Sequence, residues 1–417
     1  MKKNMILSML TLCAVIITSC KKTDNTSVPL PDPAPTVTAI SPASAPKNAV
    51  VTITGTNFGT NLATLKVYFN NVQATVQTAT NTSITAVVPV GAGSGNVKVE
   101  KSPGVQVTGP AFTYQLSNTV TSLTLTGAVT VLNRPSGIVR DASGNLFVCD
   151  RDNHRIVKIT TAGVASVFAG STAGFVNGTG TAAQFNEPYS IAIDASGNFY
   201  VADRINSSIR KITAAGVVTT LAGNGTGGSA DGTGSAARFS EPLGITVDAA
   251  GNVYVADYLN GALRKITAAG VVTTLRSIPS IFGVTVDAAG NIYCAEYFSQ
   301  QVSKYSSTGS YSVIAGLSGT SGYLDATGTA ARFNVPAGIT VDASGNLYVT
   351  ETANNKIRKI TAAGVVTTIA GGNGGFADGI SGAALFDAPI AITGDLANNA
   401  VYVADFNNNK IRKIIIE

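Results

Sequence analysis

Six carboxylates stand at one position of a sequence that repeats itself, and they are the first side chains that could do chemistry. Each ends a short apolar run such as VYVAD. A ring of carboxylates on one rim could bind a cation or a basic partner. The alternative is that each closes an Asx-type turn and pairs with an arginine that also recurs. The carboxylates are Asp150, Asp203, Asp257, Glu296, Glu351 and Asp405, and the arginines are Arg210, Arg264, Arg358 and Arg412.

Long inserts between the repeats form a second candidate binding face. Each insert, such as GFVNGTGTAAQFNEP, places an Asn or Asp eight residues before a Phe. Loops of this length on a rigid scaffold often carry binding residues. Their regular spacing favours a structural role, in which the Phe packs the loop and the Asn or Asp caps a turn. The two sets are Asn177, Asp231, Asp325 and Asp378, with Phe185, Phe239, Phe333 and Phe386.

Catalytic chemistry finds little support elsewhere in the sequence. His154 is the only histidine, and one imidazole cannot form a typical three-ligand zinc site. Cys149 and Cys294 lie in the first and fourth repeats, where we expect buried, unpaired thiols. No nucleotide-binding or nucleophilic-serine motif is present, and the evenly spread basic residues argue against nucleic acid. We therefore expect no catalytic residue, no metal ligand and no cofactor, and the sequence leaves open a structural cation or a cation in the channel.

The elements that must position these side chains repeat six times. The block KITAAGVVTT occurs at Lys211–Thr220, Lys265–Thr274 and Lys359–Thr368. In the unit that begins at Pro242, four short alternating runs predict four strands: GITVD, VYVAD, LRKIT and VVTTL. One such unit cannot bury both of its faces, so the units must pack side by side. The units are marked by Asp141, Asp194, Asp248, Asp287, Asp342 and Asp395, which are 53, 54, 39, 55 and 53 residues apart.

Four strands in a period of this length indicate a β-propeller. The frame P-x-G-I-x-V-D-x-x-G-N-x-Y-V-A-D-x-x-N-x-x-I-R-K-I resembles NHL repeats, and the resemblance implies a six-bladed propeller over residues 117–417. The last unit ends at KIRKIIIE without a VVTT run. A similar run, Gly127–Leu132, precedes the first unit, and we predict that it completes the sixth blade and closes the ring.

A smaller all-β domain precedes the propeller. Residues 36–116 contain short alternating runs separated by Gly, Asn and Pro, which predicts a β-sandwich. The order ISPASAP, VVTITGTNFG, KVYFNN, ITAVVP, GNVKV and AFTY resembles an IPT/TIG domain, an immunoglobulin-like module. That resemblance implies a spacer or a protein-contact role. The predicted fold class is therefore all-β, with an immunoglobulin-like sandwich followed by a six-bladed propeller.

The first residues predict export and lipid anchoring. Lys2 and Lys3 precede an apolar run that ends near Ile17, so residues 1–19 have the features of a signal peptide. The sequence ITSC resembles the lipobox of bacterial, Bacteroidetes-like lipoproteins, which implies lipidation of Cys20; an ordinary cleaved signal is the alternative. Acyl chains would anchor the protein without crossing the membrane. Lys21 favours the outer membrane, with the leaflet left open, and residues 20–35 are predicted to be a flexible linker.

These features together predict a non-catalytic, membrane-anchored binding or scaffold protein of the cell envelope. Its propeller would present the insert-bearing face to a protein or glycan partner, and Tyr258, Tyr297 and Phe406 near the rim could supply aromatic surfaces for a sugar. A single specific site would lie where the repeats break their symmetry, around Tyr293–Tyr305. The alternative, implied by enzymes of NHL type, is a metal-assisted lyase or lactonase acting in the central channel. The oligomeric state stays open.

Overall fold

Short alternating runs become strands throughout the part of the chain that the computed structural model describes, residues 33–102, 104–395 and 398–417. No α-helix occurs within those ranges, and the all-β prediction is confirmed. The chain divides into a first unit of residues 33–43, 50–87 and 94–112 and a second unit that contains residues 113–417. The described 3-10 helices are single turns: Leu62–Thr64, Arg151–Asn153, Gly180–Ala182, Gly234–Ala236, Gly328–Ala330 and Ser381–Ala383.

The N-terminal domain is a sandwich whose strands bury alternate side chains. In VVTITGT, Val51 and Ile53 are fully buried while their neighbours are not, as the two-residue period of a strand requires. Phe69 and Phe112 meet edge to face in the core, with ring centroids 4.7 Å apart. The strands pair in the order β1-β3-β6-β5-β4-β7-β8-β2. They are β1 (Thr36–Ser41), β2 (Ser44–Pro46), β3 (Val50–Thr56), β4 (Lys66–Phe69), β5 (Val72–Ala79), β6 (Ser83–Val87), β7 (Gly95–Ser102) and β8 (Val105–Gln115).

Residues 119–417 form six antiparallel sheets, the blades, each built on four strands. Two short strands come first, β9 (Thr119–Ser122) and β10 (Thr126–Gly127). Blade 1 contains β11 (Pro135–Arg140), β12 (Leu146–Asp150), β13 (Arg155–Ile159) and β14 (Val164–Gly170). Blade 2 contains β15 (Gly178–Thr179), β16 (Pro188–Ile193), β17 (Phe199–Asp203), β18 (Ser208–Ile212) and β19 (Val217–Ala222). Blade 3 contains β20 (Gly232–Thr233), β21 (Pro242–Val247), β22 (Val253–Asp257), β23 (Ala262–Ile266) and β24 (Val271–Ser277).

The remaining three blades follow the same plan. Blades 4 and 5 are four-stranded, without the short strand that β15 and β20 add to blades 2 and 3. Blade 4 contains β25 (Ile281–Val286), β26 (Ile292–Glu296), β27 (Gln301–Tyr305) and β28 (Tyr311–Gly316). Blade 5 contains β29 (Pro336–Val341), β30 (Leu347–Glu351), β31 (Lys356–Ile360) and β32 (Val366–Ala370). Blade 6 contains β33 (Gly379–Ile380), β34 (Pro389–Asp395), β35 (Ala400–Asp405) and β36 (Lys410–Ile415). The innermost strands β11, β16, β21, β25, β29 and β34 contact one another in turn, and β34 contacts β11, so the ring closes.

The strand that closes the ring is β9, which corrects the prediction for Gly127–Leu132. Val120 pairs with Ile414 and Thr121 with Lys413, so β9 supplies the outer strand of blade 6. Gly127 instead lies beside β14 of blade 1, and the N–H of Val129 donates to a carbonyl of that strand. The run Thr119–Leu123 reads TVTSL, which matches the outer-strand run VVTTL as well as AVTVL does. The sequence contains two similar candidates, and only the first is in register with β36.

The core of the propeller lies between the blades. One cluster joins Phe147 and Cys149 of blade 1 to Phe199 and Val201 of blade 2, with Phe185 of the intervening insert packed against both. The apolar face of each of these blades is therefore buried only by its neighbour. The central channel is narrowed by a girdle of one β-branched side chain per inner strand. The girdle consists of Ile138, Ile191, Ile245, Val284, Ile339 and Ile392.

Candidate binding site at the channel mouth

The six carboxylates at the ends of the second strands are buried, which contradicts the rim hypothesis. None of Asp150, Asp203, Asp257, Glu296, Glu351 and Asp405 is more than 2% exposed. In blade 3, Asp257 accepts hydrogen bonds from the N–H of Ser240 at 2.7 Å and from the side-chain amide of Asn260 at 2.8 Å. A carboxylate covered in this way is not available to a partner. Its role is to join the end of the insert to the loop between the second and third strands.

An arginine connects each of four buried carboxylates to an insert. In blade 3, the Nη1 of Arg264 lies 2.6 Å from Asp257 and its Nη2 lies 2.9 Å from Asp231. The same bonds join Arg210 to Asp203 and Asn177, Arg358 to Glu351 and Asp325, and Arg412 to Asp405 and Asp378. An arginine is found at this position only in the four blades that follow an insert. The recurring arginine therefore holds the insert against its blade through hydrogen bonds.

The insert phenylalanines are buried, as a packing role requires. Phe185, Phe239, Phe333 and Phe386 are fully buried, and the guanidinium carbon lies 4.8–5.2 Å from each ring centroid. In three blades a second, more exposed ring lies 4.9–5.4 Å from the same guanidinium carbon: Phe175, Tyr323 and Phe376. Blade 3 has Ser229 there instead. Asn177, Asp231, Asp325 and Asp378 are partly exposed but committed to the arginines, so the structure does not assign them to a partner.

Burial and hydrogen bonding shift the pKa values of the carboxylates that bond these arginines. Burial raises the pKa of Asp257. The hydrogen bonds from Ser240 and Asn260 and the charge of Arg264 lower this pKa, but burial outweighs them. Burial acts in the same direction on the more exposed Asp231, but hydrogen bonds from Thr274 and the charge of Arg264 outweigh it and lower the pKa. The two Nη groups of each buried arginine bond four acceptors, which is how the buried charge is tolerated, whereas the buried Nε has no hydrogen-bond partner among the described residues.

Blade 4 departs from this plan because no insert precedes it. Ser303 replaces the arginine, and its hydroxyl donates to Glu296. Tyr311 donates to the same carboxylate at 2.6 Å, and the amide of Gln301 donates at 2.7 Å. The longer Glu side chain reaches partners on its own blade. Much of the irregular sequence at Tyr293–Tyr305 is therefore explained by the missing insert.

The residue after each buried carboxylate differs from blade to blade, and these six side chains surround the channel mouth. They are Arg151, Arg204, Tyr258, Tyr297, Thr352 and Phe406, and each is half-buried. Tyr258, Tyr297 and Phe406 are the three aromatic residues that the sequence analysis predicted near the rim. They pack against a hydrophobic cluster that includes Tyr189 and Phe282. The side-chain chemistry of this ring changes around the propeller, as it also does at the second residue of the inner strands, where Tyr189 and Phe282 lie.

Four aromatic rings form a continuous surface over one side of the mouth. Phe282 is central: its ring stacks on Tyr297 at 4.9 Å with an interplanar angle of 18°. Tyr189 and Tyr258 approach it edge to face at 5.8 Å and 6.0 Å. Tyr189 comes from blade 2 and Phe282 from blade 4, so their contact reaches past blade 3. We call Tyr189, Tyr258, Phe282 and Tyr297 the aromatic basin.

Charged side chains border the basin in compensated pairs. Arg204 donates to Glu187 at 2.7 Å and to Glu241 at 2.6 Å, and its guanidinium lies 5.9 Å from the Tyr189 ring. On the far side, Arg151 donates to Asp152 at 2.7 Å and lies 4.7 Å from the ring of Phe406. Burial lowers the pKa of Arg204, but its two glutamates outweigh this and raise it. These ion pairs hold the side chains around the mouth in place.

Three hydroxyl groups of the basin have no hydrogen-bond partner among the residues that the structure describes. They belong to Tyr189, Tyr258 and Tyr297, and burial raises the pKa of all three phenols. The hydroxyls of Tyr258 and Tyr297 lie close enough to influence the pKa of Tyr189. Such groups can donate to and accept from a ligand.

Comparison with known families agrees with this architecture. The family model of the IPT/TIG domain matches residues 35–115, and that of the NHL repeat matches residues 132–159 and 333–360. The chain combines an IPT/TIG domain with a six-bladed NHL propeller. It is 36% identical over 88 residues to the protein SUPPRESSOR OF QUENCHING 1 of Arabidopsis thaliana, a match that covers 21% of this chain and 8% of that protein.

Solved propellers share the fold of the IPT/TIG–NHL chain. An auxiliary nutrient binding protein from Bacteroides ovatus has 19% identity and a TM-score of 0.58, with 93% of this chain and 99% of that chain covered. A gluconolactonase from Xanthomonas campestris has 13% identity and a TM-score of 0.52, with 72% and 89% covered. At these identities the similarity concerns the fold alone.

His154 joins two blades of the NHL propeller. Its Nδ1 accepts a hydrogen bond from the N–H of Glu187 in the next blade at 3.1 Å. Asn355 and Asn409, at the same position in blades 5 and 6, accept from Ala388 and Arg134 at 2.9 Å and 2.8 Å. All three have positive φ, which Asn and His adopt more readily than most residues. The only histidine is thus a connector between blades.

Metal chemistry has no support from the described side chains of the NHL propeller. Within residues 33–102, 104–395 and 398–417, no three His, Cys, Asp or Glu side chains are arranged to hold a metal ion. Cys149 and Cys294 are buried and unpaired, and burial raises the pKa of both thiols. The same part of the chain contains no helix of sufficient length and apolarity to cross a membrane.

Several residues of the basin were not found from the sequence. Tyr189 and Phe282 follow the first residue of an inner strand, where Leu243 and Ala337 occupy the equivalent places. An aromatic residue there is indistinguishable in sequence from a core residue. One sequence signal was available, which is the variation of this position between blades. In a chain of nearly identical repeats, a position whose chemical class changes from blade to blade is a candidate for a functional role.

Proposed function

We propose that the protein is an exported, non-catalytic binding protein that presents the loop face of its NHL propeller to a partner. The observation that carries the proposal is the channel mouth, where six equivalent positions hold two arginines, two tyrosines, a threonine and a phenylalanine. A scaffold of near-identical blades that varies at its mouth has the asymmetry that a specific site needs. The name of the Bacteroides ovatus neighbour, an auxiliary nutrient binding protein, supports the same class.

We also propose that Cys20 is lipidated and anchors the protein to the outer membrane. Cys20 lies outside the described residues, so the proposal rests on the sequence ITSC and the preceding apolar run. In chain order the IPT/TIG domain then separates the anchor from the propeller. Metabolic labelling with an alkyne fatty acid tests this: Cys20→Ala should lose the label and leave the membrane fraction. Cys13→Ala, within the apolar run, is the matched control and should keep both.

The competing hypothesis is a lactonase-type reaction in the channel, as the gluconolactonase neighbour suggests. That reaction would need carboxylates or amides aimed into the channel. The described channel wall is built instead from Ser136, Ser190, glycines, alanines and the aliphatic girdle, with a ring of threonines on the other side of the girdle. No observation at this site favours the enzyme, and we propose binding as the function.

The binding proposal is tested with the full mature chain immobilised through its linker. Envelope proteins and a glycan array are applied to the native protein and to the double variant Tyr258→Ala/Tyr297→Ala. We expect capture of a partner by the native protein and about a tenfold loss with the double variant, as hot-spot aromatics give. Tyr254→Phe, whose hydroxyl bonds Asp248 at the opposite end of its blade, is the control. Equal capture by all three proteins would refute a loop-face site.

A further inference from the structure

We propose that the aromatic basin binds an uncharged sugar ring within an oligosaccharide. This inference deepens the proposed function and rests on it, because it names the ligand class of the same loop-face site. The basin offers an apolar plate, free hydroxyl groups and balanced charge together at one place. The first two properties match a sugar ring, and the third selects against a ligand that carries a net charge.

The apolar plate matches the C–H face of a pyranose. The stacked pair of Phe282 and Tyr297 is extended by Phe298, whose ring meets Tyr297 edge to face at 4.9 Å. Phe298 is 61% exposed, and Leu259 on the neighbouring blade is 60% exposed. Large rings left open to solvent beside a concave mouth commonly mark a binding surface. Rings with a polar edge suit a ligand that is apolar on one side and wet on the other.

The free hydroxyls match the polar edge of the same ligand. The phenols of Tyr189, Tyr258 and Tyr297 have no protein partner among the described residues, although Tyr189 is only 7% exposed. None of the three oxygens is among the fully buried atoms that lack a partner, so each keeps access to solvent at the mouth and can exchange water for a ligand hydroxyl. Each phenol both donates and accepts, which is also true of every sugar hydroxyl.

The charges around the mouth select against an ionised ligand. Arg204 is compensated by Glu187 and Glu241, and Arg151 is compensated by Asp152. Arg134, whose Nε is 3.7 Å from Asp152, completes a set of three cations and three anions. No net charge remains to offset a carboxylate or sulfate on a sugar. Binding such a group would require breaking an existing ion pair.

The ligand must lie across the mouth, because the channel below cannot admit a sugar ring. The cavity beneath Tyr189 and Phe282 has a volume of about 70 Å³ and is closed below by the aliphatic girdle. A space of that size holds a few water molecules. The site is therefore a surface for one or two sugar units of a longer chain, with both ends of the chain free to leave the mouth.

Isothermal titration of the full mature protein tests the inference with defined probes. The neutral probes are hexasaccharides of glucose, mannose, galactose and xylose, and the charged probe is hexagalacturonate. We expect at least one neutral probe to bind and the uronate to bind at least about tenfold more weakly. Tyr297→Ala should weaken the neutral complex about tenfold, and Tyr258→Phe about three- to tenfold, the effect of one hydrogen bond. The control Tyr254→Phe should bind as the native protein does.

Each remaining outcome has a definite meaning. Equal or tighter binding of hexagalacturonate would overturn the charge argument and with it the inference. If no oligosaccharide binds while the loop face still captures an envelope protein, the inference fails and the proposed function stands. If the loop face captures neither, both fail. Thermal unfolding of each variant confirms folding, and Phe298→Ala, at an exposed position, replaces Tyr297→Ala if the latter does not fold.

Discussion

At the scale of single residues, side chains that are the same in several blades stabilise the fold, whereas those that differ between blades lie at the proposed binding site. Arg264 is fully buried between Asp257 and Asp231, and the same triad recurs with small changes in three other blades. Removing one partner of such a group leaves an uncompensated buried charge, which typically costs about 3–5 kcal/mol. The sequence could not show that these carboxylates point inward, because a residue at a strand end faces solvent or protein according to what covers it.

His154 offers a direct test of the connection between blades. We expect His154→Ala to lower the free energy of unfolding by about 1–3 kcal/mol, since the N–H of Glu187 loses its acceptor and Ala is strained at positive φ. His154→Asn should stay within about 0.5 kcal/mol of the native protein. Asn already performs this role at positions 355 and 409. Urea unfolding monitored by circular dichroism measures both variants. An Asn variant as unstable as the Ala variant would show that the imidazole has another role.

At the scale of elements, the insert and the third strand of a blade behave as one unit. Blades 2, 3, 5 and 6 have both the insert and the arginine, whereas blades 1 and 4 have Val157 and Ser303 instead. In blade 3 the insert supplies two carbonyl acceptors and the carboxylate of Asp231, and the two Nη groups of Arg264 donate to these and to Asp257, so the insert and the arginine satisfy each other's polar groups. This dependence explains how the repeats can lose an insert without losing the blade.

Ser229 is the position where this unit is incomplete. We expect Ser229→Phe to place a second ring over Arg264, as Phe175 and Phe376 do over Arg210 and Arg412. A cation–π contact at an exposed site contributes about 0.5–1 kcal/mol, which should raise Tm by about 2 °C. Differential scanning calorimetry measures the change.

Two variants control this prediction. Phe376→Ser removes the same contact from blade 6 and should lower Tm by a similar amount. Ser229→Leu places an apolar side chain without an aromatic face at the same position and should raise Tm less than Ser229→Phe does. A Tm for Ser229→Phe at or below the native value would contradict the role assigned to the outer ring.

At the scale of the whole molecule, the propeller is held closed by a strand from its own beginning. β9 joins β36, so the outer strand of blade 6 and the rest of that blade come from opposite ends of the propeller sequence. Separating blade 6 from the residues that lead into blade 1 would break this pairing. Such a closure replaces an exposed sheet edge, which would otherwise be open to other chains.

A disulfide across this seam tests the assignment of the closing strand. Thr121 and Lys413 are paired neighbours, at a separation that a disulfide can span. We expect Thr121→Cys/Lys413→Cys to form the bond and to raise stability by up to about 5 kcal/mol, because the closed loop is long. Thr130→Cys/Lys413→Cys, which uses the equivalent residue of the run that does not close the ring, should remain reduced. Thiol titration after oxidation distinguishes the two. A bond in the second pair alone would refute β9 as the closing strand.

The sequence by itself determined the number of blades, their strands and the fold class, because each blade is encoded by local alternation and turns that recur six times. It also identified Tyr258, Tyr297 and Phe406 as residues near the rim. Only the tertiary structure decided which of two similar runs closes the ring, that the repeated carboxylates are buried, and that Tyr189 and Phe282 meet. The physical reason is ring closure, which brings one position of every blade to a common axis and covers strand ends that local sequence leaves undetermined.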